Sequence, residues 1–326
     1  MPREELIEKA VSRRQISIGI PHDIHDDEKR VALTPEAVKI LTDTGNEVFI
    51  QTNAGLGAGF PDRDYSDNGA VVADTAQKVY ECDIVIKIAP FTEKEAALLK
   101  GNQIVISFMN AATMGEETLS ALTRKRVTAL AAERIKDNDG ILPVVESMSE
   151  ISGITSVLIA SEYLSNTSGG KGVMLGGVTG VTPTEVVIIG ANTAGEYAAR
   201  AALGLGAIVR VFDSSVHRLR LFQDLLGQRL YTSTFHPQVL QKALKSADVL
   251  IGALSTDDLR PWFYVSEEMV QGMKRGSVII DLSVDTGGCV ETTEPRAIKD
   301  PIYEKHGVLH YSAWNLPSRV PKTASI

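Results

Sequence analysis

The stretch 184–213 constrains this chain more than any other. It reads Thr-Glu-Val-Val-Ile-Ile, then Gly190-Ala-Asn-Thr-Ala-Gly195, then an alanine-rich segment, then Ala-Ile-Val-Arg-Val-Phe-Asp213. An apolar run stops at a glycine turn, feeds a small-residue helix and resumes as a second apolar run ending in an acid. That is the pattern of a βαβ nucleotide-binding unit. Gly190 gives the tight turn after the first strand, and Gly195 lets the helix lie close to the sheet. The amides of Thr193, Ala194 and Gly195 then open the helix and face an anion such as a pyrophosphate. Asp213 ends the second strand, where a carboxylate accepts hydrogen bonds from ribose hydroxyls and repels a 2′-phosphate, so NAD is expected rather than NADP. The middle position of the usual G-x-G-x-x-G is Asn192. Asn tolerates a left-handed backbone, but its side chain crowds a pyrophosphate. The alternative is a βαβ unit whose glycines serve only packing.

With 326 residues the chain has room for two domains of this kind. No apolar run approaches the ~18 residues that span a bilayer, and the opening Met1-Pro-Arg-Glu-Glu-Leu-Ile-Glu-Lys-Ala10 has no signal-peptide pattern. A cytoplasmic protein without membrane insertion is expected. The formal charge of −8 argues against nucleic-acid binding, which needs a basic face. Cys82 and Cys289 form neither a disulfide framework nor a zinc pattern and are expected to be small buried hydrophobes. No acid or cysteine beside the six histidines suggests a metal site.

Strands alternate with helices throughout. After a peripheral helix up to residue 11, the first half reads as strands at 16–21, 47–51, 71–72, 83–89, 103–108 and 127–132. Helices fall at 34–45, 75–82, 92–100 and 116–125. Thr34 is an N-cap, Pro35 lies in the first turn and Gly45 stops the helix. Residues 141–164 have helical apolar spacing and read as one long connecting helix, with Pro143 and Gly153 against it. A glycine-rich loop follows at 166–180. The second half adds strands at 230–233, 248–254, 277–282 and 308–312, with helices at 217–226, 237–246 and 266–274. This alternation predicts an α/β chain of two doubly wound parallel-sheet, Rossmann-like domains joined by a long helix, with a cleft between them. The first domain is placed at 1–143, the second at 144–312, and 313–326 return towards the first.

Particular motifs carry a resemblance. They are Ile18-Gly-Ile-Pro21 with Lys29-Arg-Val-Ala-Leu-Thr-Pro35, Met148-Ser-Glu150, Leu175-Gly-Gly-Val-Thr-Gly-Val-Thr-Pro183, Ile280-Asp-Leu-Ser-Val-Asp-Thr-Gly-Gly288 and Asn315-Leu-Pro317. In this order they resemble the family that joins alanine dehydrogenase with the N-terminal, NAD-binding part of nicotinamide nucleotide transhydrogenase. The later half is nearer the dehydrogenase branch. The resemblance implies reversible oxidative deamination of an amino acid to a 2-oxo acid with hydride transfer to NAD. It implies Arg30 as the residue that binds the substrate carboxylate, for which a planar guanidinium is suited. Asp285 is implied beside the nicotinamide, and Ser149, Asp213, Arg218 and Asn315 at the cofactor, with Leu254 at a strand end of the nucleotide domain.

The departures concern proton handling. Family dehydrogenases carry a lysine two residues beyond the Lys87 position and a histidine at the end of the next strand. Here those places hold Ala89 and Asn110. Asn110 can hydrogen-bond a carbonyl but cannot exchange a proton near neutral pH. Lys87 would face the same side as residue 89 and partly substitute, or serve as a packing or ion-pair lysine. His22 and His25 precede Arg30 and are expected to face solvent. The family also continues beyond residue 326, and an apolar face left uncovered would favour a homo-oligomer. Three functions remain open: an amino-acid dehydrogenase with an altered active site, a catalytically silent NAD-binding regulator, and a transhydrogenase-like NAD(H)-binding module.

Overall fold

The computed structural model describes residues 15–25, 27–110, 114–254, 263–284 and 287–326. The peripheral helix expected before residue 11 and the candidate Asp285 lie outside them. The chain divides into two compact units, one of residues up to Arg134 with Ser325–Ile326, the other Ile135–Ala324.

In the first unit six strands lie in the order β3-β2-β1-β4-β5-β6. They are β1 (Ser17–Ile20), β2 (Glu47–Gln51), β3 (Val71–Ala73), β4 (Ile84–Ile86), β5 (Ile104–Ser107) and β6 (Thr128–Ala131). All neighbours pair in parallel, as apolar strands covered on both faces must when helices return the chain each time. Helix α1 (Pro35–Asp43) starts where the Thr34 hydroxyl accepts the Ala37 amide. Helices α2 (Asp62–Asp67), α3 (Ala76–Tyr80), α4 (Glu93–Leu98) and α5 (Glu116–Arg124) follow, α4 opening with a reciprocal Thr92–Glu95 capping box. Val48, Ile50 and Val85 are fully buried between the layers. Helix α2 has no counterpart in the sequence pattern. Its Asp-Arg-Asp-Tyr-Ser-Asp run offers one apolar anchor, Tyr65, whose ring is buried and whose hydroxyl donates to the Leu33 carbonyl.

The second unit has seven strands in the order β12-β13-β11-β10-β7-β8-β9. They are β7 (Glu185–Ile189), β8 (Ile208–Phe212), β9 (Tyr231–Ser233), β10 (Val249–Gly252), β11 (Val278–Asp281), β12 (Ile302–Lys305) and β13 (Val308–Tyr311). Read outward from β7 towards β9 and towards β13, the order repeats that of the first sheet, so both units are doubly wound with a reversal beside their first strand. One strand corrects the all-parallel expectation: β12 pairs antiparallel with β13. His306 and Gly307 have φ of 57° and 76° and make the two-residue turn between them. Helices α7 (Thr193–Gly204), α8 (Val216–Leu226), α9 (Pro237–Ser246) and α10 (Glu267–Gln271) cover the sheet.

The long helix α6 (Pro143–Leu164) is continuous, with Pro143 in its first turn where a missing N–H does no harm. It belongs to the second unit. A Cβ on Gly153 would come within 2.3 Å of the Ala194 carbonyl and 2.9 Å of the Ala198 amide, so this glycine exists for the close approach of α6 to α7. Residues 135–142, placed above with the first domain, also belong to the second unit. There the Asp137 carboxylate takes the amides of Asp139 and Ile141 and fixes the turn into α6. No helix among the described residues is long and apolar enough to cross a membrane.

Candidate dinucleotide and substrate sites

The nucleotide turn sits at the sheet reversal between β7 and β10. Gly190 has φ +110°, and a Cβ there would lie 2.2 Å from the Ala253 carbonyl oxygen, so only glycine fits. Leu254, buried beside that contact, lines the same reversal. Thr193 and Ala194 are the first two residues of α7, whose amides have no acceptor within the helix and point along its positive end. A tight glycine turn at the sheet reversal, ahead of helix amides with no acceptor in the helix, fits the diphosphate of a dinucleotide.

Asn192 does not take the left-handed backbone considered for it. Its φ of −108° and ψ of −175° are extended, because it is the N-cap of α7. Its Oδ1 accepts the Gly195 amide at 3.0 Å, and its Nδ2 donates to the Ala253 carbonyl at 2.5 Å. The side chain therefore ties the β7 turn to the end of β10, and it holds the amide that a phosphate would otherwise take.

Asp213 is fully buried at the end of β8. Its Oδ2 accepts the Ala191 amide at 2.8 Å, while its Oδ1 accepts the Ser215 amide at 2.7 Å and the Arg218 Nε at 3.0 Å. Arg218 lies on the first turn of α8, capped by the Ser215 hydroxyl. The acid thus staples the glycine turn to α8 and shares its charge with Arg218. Ser149, half-buried on α6, lies one turn from Glu146, whose carboxylate accepts the Thr193 hydroxyl at 2.6 Å. Residues 146, 149 and 153 share the α6 face packed on α7, which puts Ser149 towards the start of α7. Asn315 takes a left-handed backbone, φ 53°, ahead of a short 3-10 turn, and asparagine tolerates that conformation.

Two acids here escaped the sequence reading. Glu146 has no local motif. Asp281 repeats the strand-then-acid signal of Asp213: buried at the end of β11, it accepts the Cys289 amide at 2.8 Å, the Ser283 hydroxyl at 2.6 Å and the Thr293 hydroxyl at 3.1 Å. Burial, with Asp281 nearby, pushes the Cys289 thiol well up, which makes it the inert buried cysteine expected. Cys82 is likewise buried.

In the first unit, Arg30 is buried in the loop after β1. Glu28, missed by sequence reasoning although only two residues away, accepts its Nε at 2.8 Å and its Nη2 at 2.6 Å, which fixes the plane of the guanidinium. The guanidinium carbon lies 5.8 Å from the centre of the Phe108 ring, beyond the end of β5. Lys87 is an ion-pair lysine. Its ammonium is buried against the Glu95 carboxylate and lies 3.7 Å from Asp23. Burial pushes the Glu95 carboxyl up, but the Lys87 charge and the hydrogen bonds from Lys87, Thr92 and Tyr80 outweigh it and hold it below the usual range. Ala89, at the expected lysine position, donates its amide to Asp23 at 3.0 Å. Asn110 is exposed and left-handed, φ 43°, and its amide and that of Met109 are taken by the Glu133 carboxylate at 3.0 and 3.1 Å. Asn110 is therefore a turn residue.

Residues 19–152 match the family model described as Alanine dehydrogenase/PNT, N-terminal domain, and residues 156–326 match Alanine dehydrogenase/PNT, C-terminal domain. Alanine dehydrogenase of Staphylococcus epidermidis is 39% identical over 312 residues, covering 95% of this chain and 84% of that one. Alanine dehydrogenase 2 of Staphylococcus aureus is 38% identical over the same length. A solved L-alanine dehydrogenase superposes with a TM-score of 0.89 at 39% identity, covering 95% of this chain and 86% of that one. The transhydrogenase of Sinorhizobium meliloti superposes with a TM-score of 0.82 at 26% identity, over 95% and 90%. Since both halves match and the relatives are aligned over nearly its whole length, the chain belongs to the alanine dehydrogenase/PNT family.

Proposed function

We propose that this chain is an NAD-dependent alanine-type dehydrogenase that interconverts an L-amino acid and its 2-oxo acid with an altered active site. The observation that carries this is the buried Arg30 guanidinium held in plane by Glu28, a cation prepared for a carboxylate, in a chain that also bears the Gly190–Asp213 dinucleotide turn. NAD, when bound, supplies the hydride chemistry. The residues of this chain orient it: Gly190, Leu254 and the first amides of α7 at the diphosphate, Asp213 with Arg218 at the adenosine ribose, and Ser149 and Asn315 at the cofactor. In the same reading Arg30 binds the substrate carboxylate, Asn110 can donate a hydrogen bond to the carbonyl, and Asp285 takes the family role beside the nicotinamide. Lys87 is assigned to holding Asp23 and Glu95, not to substrate. Ile154 and Leu158, exposed one turn apart on α6, support a homo-oligomer, and Leu158→Glu should lower its mass in sedimentation.

The second reading, a silent NAD-binding or transhydrogenase-like module, is favoured by Ala89 and Asn110, which supply neither cation nor exchangeable proton. Steady-state assays with NADH, ammonia and a panel of 2-oxo acids decide between the two. Turnover with at least one acid supports the dehydrogenase. No turnover with any acid, alongside micromolar NADH binding, removes it.

A further inference from the structure

We propose that His25 is the acid/base group of this chain, taking over from a strand-end position that offers only the amide of Asn110. The inference rests on the dehydrogenase reading. Its support is where loop 21–30 is pinned. His22 donates its amide to the Gln51 side chain at the end of β2, on one side of β1. His25 is drawn the other way: its amide donates to Asp23 Oδ1 at 3.3 Å, and Asp23 Oδ2 takes the Ala89 amide beyond β4. On its far side, the His25 carbonyl accepts the Glu28 amide at 2.9 Å, in the turn that presents Glu28 to Arg30. One short loop therefore carries both the carboxylate-binding cation and an imidazole.

His25, which is exposed, lines an open cavity of about 320 Å³ with Pro90, Phe91, Thr92, Glu93, Met109 and Met114. Pro90 follows Ala89 and Met109 precedes Asn110, so the cavity that His25 lines reaches the chain beside both strand-end positions. Charged groups around it are Glu93 at the start of α4, which lines the same cavity, Asp23 and Glu28 on its own loop, and Lys87 and Glu133 near the ends of β4 and β5. Pro90, Phe91, Met109 and Met114 give the cavity an apolar part of its wall, and imidazole is the side chain most often used for general acid/base catalysis. Its step is hydrolysis of the protonated imino acid. Water adds to Cα, forming the C–O bond, and His25 takes a proton from it. His25 then returns that proton to nitrogen, the C–N bond breaks, and ammonia leaves with the hydroxyl proton as ammonium. The carbonyl remains and no electrons change hands. The reverse sequence serves reductive amination.

The test compares wild type, His25→Gln and His22→Gln. His25→Gln should lose about 10²–10⁴-fold in kcat in both directions. It should also lose the imidazole limb of its pH profile, while NADH affinity by calorimetry stays unchanged and His22→Gln behaves as wild type. Without turnover, diethyl pyrocarbonate should modify His25 in the cofactor-free protein, and pyruvate should slow that modification, read by peptide mass spectrometry, with little effect at His22. Free imidazole should restore part of the rate to His25→Gly. If wild type turns over and His25→Gln matches it, the inference about His25 falls and the dehydrogenase reading stands. If wild type turns over no 2-oxo acid, that reading fails and the inference falls with it.

Discussion

Asn192→Gly tests the dinucleotide turn most sharply, because it should move stability and cofactor affinity in opposite directions. In the fold, Asn192 caps α7 through the Gly195 amide and donates to the Ala253 carbonyl. Replacing an Asn cap by Gly costs only a few tenths of a kcal/mol, and the lost hydrogen bond to Ala253 about 1 kcal/mol. Together these come to roughly 1–2 kcal/mol, or about 2–8 °C in melting temperature for a unit of this size. Binding should gain. The Gly195 amide is released towards an anion, and a hydrogen bond to a charged group contributes about 1.5–3 kcal/mol, part of which is offset by desolvating the amide. A net gain near 1.4 kcal/mol is a tenfold tighter Kd for NADH. Calorimetry with NADH and a thermal melt read the two effects separately. Asn192→Ala keeps a Cβ at the turn and should lose more stability for a smaller gain. If Asn192→Gly binds NADH more weakly, in step with its lower melting temperature, the side chain is itself a cofactor ligand and the reasoning fails.

His310 is buried, with its ring nitrogens on Thr292 and the Val308 carbonyl, and burial pushes its pKa down to about 4 from 6.5. Below about pH 6.5 the unfolded chain takes up a proton that the folded chain refuses until about pH 4. Stability is therefore complete above 6.5 and falls by up to about 3 kcal/mol as pH drops to 4, and urea midpoints should show a flatter slope in His310→Gln. Lys87→Met leaves Glu95 and Asp23 buried without their cation and should cost about 3–5 kcal/mol by denaturant titration. Adding Glu95→Gln should recover most of that, and a full recovery of stability with lost substrate affinity would instead place Lys87 at the substrate. Asp213→Asn sets an amide against donors and should weaken NADH binding more than tenfold while also lowering the melting temperature. Untouched NADH affinity would remove the cofactor assignment.

Elements whose ends are written in side chains could be read from the sequence. Thr34, the Thr92–Glu95 box and Pro237 start their helices where the residue types predict. The buried strands of both sheets are continuous apolar runs because helices cover both faces. Helix α2 and strand β12 could not be read in this way. The first has one apolar residue, and the second is a half-exposed edge joined by His306-Gly307 in place of the usual Asn-Gly or Asp-Gly turn. The site divides along the same line. Gly190 and Asp213 belong to one local motif and were legible from it. The partners that decide what Lys87, Thr193 and Asn110 do are Glu95, Glu146 and Glu133, which arrive from other elements and leave no periodic trace.

Those partners bear on the expectation that Ala89 and Asn110 stand where the family has a lysine and a histidine. At residue 89 the main-chain amide, closed by Asp23, stands where a lysine would, and the nearest ammonium is set two residues back and neutralised by Glu95. At residue 110 a left-handed turn is held at its amide by Glu133. Restoring the family residues singly should therefore not restore family chemistry. Ala89→Lys puts a long side chain and a second ammonium at a buried position beside Lys87, which repels it, and Asn110→His places its ring on a turn whose amide Glu133 already holds. On the proposed reading, cation and proton exchange fall to the loop after β1, where Glu28 holds Arg30 in plane and Asp23 ties His25 to the β4 side. Under this arrangement Asp23→Asn, which weakens the tie without touching either ring, should lower kcat more than it raises KM for the 2-oxo acid. A change in KM alone would mean that Asp23 serves carboxylate binding through Arg30 rather than the placement of His25.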